Sequence, residues 1–145
     1  MASISANGKF SYEKIYIDKS LNEWTINVHK YMTKELKWKY APLKKGMFGY
    51  DNLIMSLAYV FEYCPNKLDI NEVADYVHQG WTANYLYWKN NNPWSVNKFY
   101  MKPKNPLGDQ RRNNCANTPF KFLPKEEKEK DLIIAKFLCD ALTFS

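Results

Sequence analysis

The sequence predicts a mainly α fold of four principal helices. A long irregular segment over about residues 90–120 is expected beside them, with short β elements near the irregular regions. Three observations predict this. Apolar residues recur at three- and four-residue intervals in four separate stretches. Helix-start patterns precede most of those stretches. Pro, Gly and Asn gather between them.

Residues 1–11 are small and polar and are expected to fray. Lys14-Ile15-Tyr16-Ile17-Asp18 alternates, which predicts a short strand or an extended lead-in. Ser20-Leu21-Asn22-Glu23 reads as a capping box, a hydroxyl taking the N3 amide and a carboxylate reaching back. Leu21, Trp24, Val28, Tyr31 and Met32 then carry a first helix to about Lys34 or Leu36. Residues 39–49 form a basic connection with Pro42 and Gly46. A second helix starts near Asp51. Its Leu53, Ile54, Leu57, Ala58, Val60 and Phe61 leave few polar positions, which marks the central buried helix. Pro65 ends it. Asp69-Ile70-Asn71-Glu72 is a second capping pattern with Asp as the cap. The third helix carries Val73, Ala74, Val77, Trp81, Tyr85 and Trp88 on one side, and Asn90-Asn91-Asn92-Pro93 stops it. The irregular segment holds Pro93, Pro103, Pro106, Pro119 and Gly108, with Trp94, Phe99 and Tyr100 to anchor it as a short strand pair. Loops of this length in a compact domain are usually functional or poorly ordered. In the last helix Pro124 suits the first position, Glu126 and Glu127 complement the helix dipole, and Leu132 to Leu142 supply the apolar stripe.

The chain has 145 residues, 46% hydrophobic and 25% charged, which fits one ordinary globular domain over 1–145. A disordered tail, a collagen-like fibre and a disulfide miniprotein are excluded. No apolar run approaches the ~20 residues of a membrane helix, so no membrane partner is expected. The three cysteines, Cys64, Cys115 and Cys139, are far apart, with no CxxC pair and no nearby His cluster. No metal and no cofactor is expected, and sparse unpaired thiols suit a reducing compartment. The N-terminal residues lack a charged n-region and an apolar h-region, so a cytoplasmic protein is expected. Net charge is +6, unevenly spread. Residues 1–50 carry nine Lys against four acids, residues 51–100 three Lys against five acids, and residues 101–145 nine Lys or Arg against six acids. Basic ends favour anionic partners, although a charge of this size also serves solubility alone.

A catalytic set is not visible. There are two His, His29 and His78, and no GxSxG, HExxH, GxGxxG or P-loop pattern. The third helix is more informative. His78, Trp81 and Tyr85 share one face, with Trp88 near it and Asn84 three residues after Trp81. Rings beside an amide suit a nucleobase, the rings stacking and the amide reading an edge. The competing reading is that the stripe packs in the core, the commoner fate of a helical aromatic stripe. Arg111 and Arg112 are the only Arg in the chain, and adjacent guanidinium forks suit a phosphate or pyrophosphate. A surface pair bridged to the acidic 126–131 stretch explains them equally well. Lys125–Lys130 reads as a solvated helix face with a Glu126–Lys130 pair. Lys37, Lys39, Lys44 and Lys45 with Trp38 and Tyr40 form a basic-aromatic patch, either a connecting loop or a contact for RNA or DNA. Five identities recur at an offset of 49, among them His29 with His78. They read either as chance plus shared capping chemistry or as an internal duplication.

Val73-Ala74-Asp75-Tyr76-Val77-His78-Gln79-Gly80-Trp81 resembles the (L/A)AxNxHxxWA stretch of the RyR domain. That repeat occurs in ryanodine receptors and in stand-alone bacterial and phage proteins. Thr118-Pro119-Phe120-Lys121-Phe122-Leu123-Pro124-Lys125-Glu126-Glu127-Lys128-Glu129-Lys130-Asp131 looks like its VPYxxLPxxEKxxDR element. The resemblance covers about residues 70–142. The family's Asn is Tyr76 here, Thr82 follows the Trp, Leu132 follows the Asp, and the GWxYG element is matched only loosely by Tyr87-Trp88. His78, Trp81, Phe120, Leu123, Pro124, Glu127, Lys128 and Asp131 match, and by the resemblance most of them hold two helices together. The resemblance implies a small helical module that binds and does not catalyse.

Together these readings give a non-catalytic binding module for an adenine-nucleotide or ADP-ribose-like ligand. Its expected ligand-binding residues are His78, Trp81, Asn84, Tyr85, Trp88, Arg111 and Arg112. The family's occurrence in stand-alone phage proteins implies, for a phage source, a module that sequesters a host immune signalling nucleotide. The alternatives are a protein-interaction or inhibitor module acting on a host protein, and a basic RNA- or DNA-binding protein. Homo-oligomerisation is common for small binding proteins and would place a pocket between protomers.

Overall fold

The structure is a computed structural model, and it describes residues 12–45, 48–91 and 106–143. The described chain is mainly helical: α1 (Tyr12–Ile17), α2 (Lys19–Glu35), α3 (Phe48–Tyr63), α4 (Ile70–Asn91), α5 (Pro106–Ala116), a 3-10 turn (Phe120–Phe122) and α6 (Lys125–Thr143). The four long helices α2, α3, α4 and α6 correspond to the four expected. No strand occurs among the described residues. The expected frayed segment 1–11 and the Trp94, Phe99 and Tyr100 anchors lie outside them.

The core lies where α3 packs along α4, with α6 against α4 and α2 across α3 and α6. Ile54, Met55, Leu57 and Val60 of α3 are completely buried, as are Val73 and Ala74 of α4, Ala135 and Leu138 of α6, and Val28 of α2. Each buried branched side chain contributes roughly 1.5–3 kcal/mol relative to exposure. Gly80 sets the closest approach of α3 to α4. A Cβ there would lie 2.5 Å from the Ser56 Cα and 2.7 Å from the Met55 carbonyl oxygen. Ser56 Oγ donates to the Val77 carbonyl at 2.9 Å across the same contact. Trp24, Phe61, Phe137 and Tyr31 interlock α2, α3 and α6, with ring centroids 5.1–6.2 Å apart.

Three local expectations need correction. Residues 14–17 are helical rather than extended, because Tyr12, Ile15 and Tyr16 turn one face to the bundle and leave Ile17 outside. A strand there would have had no partner strand among the described residues. The cap of α2 is Asp18, whose carboxylate accepts from the Leu21 amide at 2.9 Å, and not Ser20. The third correction concerns 106–116, which form α5 inside the segment expected to be irregular. Pro106 stands at its first position, where the missing N–H costs nothing. Of its described side chains only Cys115 is buried, so no apolar stripe announced it. The expected Asp69 cap of α4 is present, accepting from the Glu72 amide at 3.0 Å.

α2 ends in a Schellman arrangement. Trp38 N–H donates to the Thr33 carbonyl at 2.9 Å and Lys37 N–H to Lys34 at 3.3 Å, with Lys37 at φ 58°. That left-handed position normally belongs to Gly, and a side chain there costs about 1 kcal/mol. The turn directs residues 38–45 back toward the bundle.

Candidate functional site

A cleft of about 350 Å³ opens where α4, α5 and α6 meet α3 and the connection following α2. His78 and Trp81 reach it from α4, Arg111, Arg112 and Cys115 from α5, and Glu127, Lys130 and Asp131 from α6. Asn52 comes from α3, His29 from α2, and Trp38 from the connection. The volume falls in the range of small-molecule sites.

Four of the seven expected residues therefore come together: His78, Trp81, Arg111 and Arg112. The helical spacing of the aromatic stripe is confirmed as geometry. His78 stacks on Trp81 at 6.0 Å and 12°, and Trp81 on Tyr85 at 5.5 Å and 4°. Its consequence for binding is different from the one expected. Trp81 is flanked by rings from the turn before and the turn after, so it lines the cleft without offering a bare face.

Asn84 and Tyr85 do not reach the cleft; both are completely buried. Asn84 Oδ1 accepts from the Tyr12 hydroxyl at 2.5 Å, and Asn84 Nδ2 donates to Asn52 Oδ1. The amide ties α1 to α3 and α4 and reads no ligand. The reason is angular: three residues fall about 60° short of a full turn, which swings Asn84 off the line of Trp81 towards α1 and α3. Its partner Asn52 does line the cleft. With its Oδ1 committed to Asn84, its NH2 group is the donor left for a ligand. The side chain of Trp88 lies outside the described residues.

Arg111 is half-exposed and already engaged. Its Nη1 donates to both Glu127 oxygens, at 2.9 and 2.8 Å. Lys130 Nζ lies 3.7 Å from the same carboxylate, so the Lys130 pairing is with Glu127 and not Glu126. Arg112 lines the cleft beside it. Glu127 thus holds together the cationic edge of the site.

The floor is a buried polar corner joining the two stretches on which the RyR resemblance rests. His78 Nε2 lies 2.7 Å from the Thr118 carbonyl oxygen, which can only accept, so Nε2 carries a proton and donates it. His78 Nδ1 faces Asp131 Oδ2 at 3.7 Å. Burial pushes the Asp131 carboxyl up to about 8, with Glu127 and Asp75 adding repulsion against the lesser pull of Lys130. Burial likewise raises the Cys115 thiol and lowers the His29 imidazole below its ordinary value. Since burial disfavours the charged form of Asp131, the basic side chains Arg111, Arg112 and Lys130 face the Glu127 carboxylate as their main counter-charge in the lining. Among the described residues no group of three His, Cys, Asp or Glu is placed to hold a metal ion. None of the described helices is long and apolar enough to cross a membrane.

Several cleft residues escaped the sequence reading. Trp38 was visible only as part of a basic-aromatic patch, and it is half-exposed with its ring against the cleft. Asp131 was marked by the resemblance alone. Asn52 and Lys130 carried no local pattern that set them apart. In comparisons with known proteins, no family model, no curated protein and no solved structure matches the chain.

Proposed function

We propose that the chain is a non-catalytic binding module for a nucleotide-like anion of the adenine or ADP-ribose class. The observation that carries this reading is one cleft holding both an aromatic wall and a cationic edge: Trp38 and Trp81 with Arg111, Arg112 and Lys130. Trp38 supplies the accessible ring face, since His78 and Tyr85 occupy the faces of Trp81. Asn52 offers a donor to a ring nitrogen. Arg111 exchanges Glu127 for phosphate, or keeps it as the brace that aims the guanidinium. Binding without turnover fits the reactive groups. His78 has one nitrogen committed to Thr118 and the other facing Asp131, and the Cys115 thiol is raised by burial. The packing of His78 against Thr118 and Asp131 also suits the RyR resemblance, whose two stretches meet there.

The test is a thermal-shift screen against mono-, cyclic and dinucleotides and ADP-ribose derivatives. A ligand at 100 times its Kd adds about 2.7 kcal/mol, a clear rise in Tm for a domain of this size. Arg111→Ala and Trp38→Ala should abolish that rise while leaving the unliganded Tm near that of the parent. Trp81→Ala should weaken binding in the folded protein. A flat panel at millimolar ligand would refute the reading and turn the search to a protein partner by pull-down.

A further inference from the structure

A second surface adjoins the cleft at Trp38. The connection formed by residues 36–45 carries four Lys and no acid. Lys37, Lys39 and Lys45 are exposed, as are the rings of Trp38 (50%) and Tyr40 (45%). Trp38 belongs to the cleft wall and to this strip at once. Tyr40 lies over His29, itself a cleft residue, with centroids 5.4 Å apart and planes inclined by 39°. Two exposed rings two residues apart, interleaved with exposed cations, thus adjoin the cleft through Trp38 and His29. Lys37 occupies a left-handed helix-end position where Gly would cost less, and it places a positive charge at the start of that strip. Alternating rings and Lys suit a chain whose bases stack while its phosphates run alongside. The absence of acids in the strip matches the polyanion.

We propose that the ligand is a single strand of at least two nucleotides, with one base against Trp38 in the cleft and the next on Tyr40. Lys37, Lys39 and Lys45 accompany its phosphates. This rests on the nucleotide reading of the cleft and adds the length and class of the ligand.

The experiment titrates the full chain with 5′-adenylate and with the dinucleotide pApA, following tryptophan fluorescence at several salt concentrations. One further stacked base should tighten binding roughly tenfold or more. The slope of log K against log salt should steepen by about 0.7 for the additional phosphate. The double variant Lys37→Glu, Lys39→Glu and the single variant Tyr40→Ala should each erase the advantage of pApA. Tyr40→Ala should leave adenylate affinity within about twofold, since Tyr40 does not line the cleft, and the Lys variant is read by the ratio of pApA to adenylate affinity. Equal affinity for pApA and adenylate would overturn the two-nucleotide strip while leaving the mononucleotide cleft standing. Failure of both to bind at millimolar concentration would overturn the cleft reading, and the strip with it.

Discussion

Asp131 offers the sharpest quantitative test of the site, because its buried carboxyl links protonation to folding. It ionises near 8 in the folded chain against 3.8 when exposed. The folded state therefore holds a proton that the unfolded chain has lost through the interval between those values. Stability from this group is fully present below about pH 4 and falls as pH rises towards 8. Above 8 both states are ionised and the dependence flattens. Integrating that linkage between pH 6 and pH 9 gives a loss of about 2–3 kcal/mol. The groups facing Asp131 are Glu127 and Lys130 on its own helix and His78 and Asp75 on α4. Asp131→Asn keeps the shape and the neutral character of the protonated acid. Urea unfolding of both proteins at pH 6, 7, 8 and 9 checks the prediction. The variant should match the parent within about 1 kcal/mol at pH 6 and exceed its relative stability by about 2–3 kcal/mol at pH 9. Parallel profiles would show that Asp131 is ionised in the fold, and the charge count of the cleft would then be wrong.

Two stability predictions follow from the packing. Gly80→Ala drives a Cβ into the backbone of Ser56 and Met55, so α3 and α4 must separate. Denaturant unfolding should record a loss of about 2–3 kcal/mol, and a loss below 0.5 kcal/mol would mean that the helices are less closely packed than described. Asn84→Ala leaves Tyr12 and Asn52 without their shared partner in a buried place. It should cost about 2–3 kcal/mol of stability, and any loss of ligand affinity in the folded fraction should not exceed that of Asn52→Ala, since Asn84 acts only through Asn52. A selective loss of affinity at unchanged stability would restore Asn84 to a reading role.

Periodicity along the chain determined much of this protein. The four long helices, the burial of α3, the Asp69 cap and the sharing of one face by His78, Trp81 and Tyr85 all follow from residues within about two helical turns. Short-range pattern failed where a local cue was ambiguous or missing. Five alternating residues at 14–18 fit either a strand or one helical turn, and only docking of Tyr12 and Ile15 on the bundle decided between them. α5 is polar, so no stripe marked it. The site depended on tertiary structure more heavily. Asn84 meets a residue 72 positions away, Arg111 meets Glu127 sixteen positions on, and Trp38 meets the cleft only because the chain reverses at Lys37. Side-chain type and spacing determined which groups could bind an anion. The angle at which each helix met its neighbours decided which of them faced the cleft and which became core.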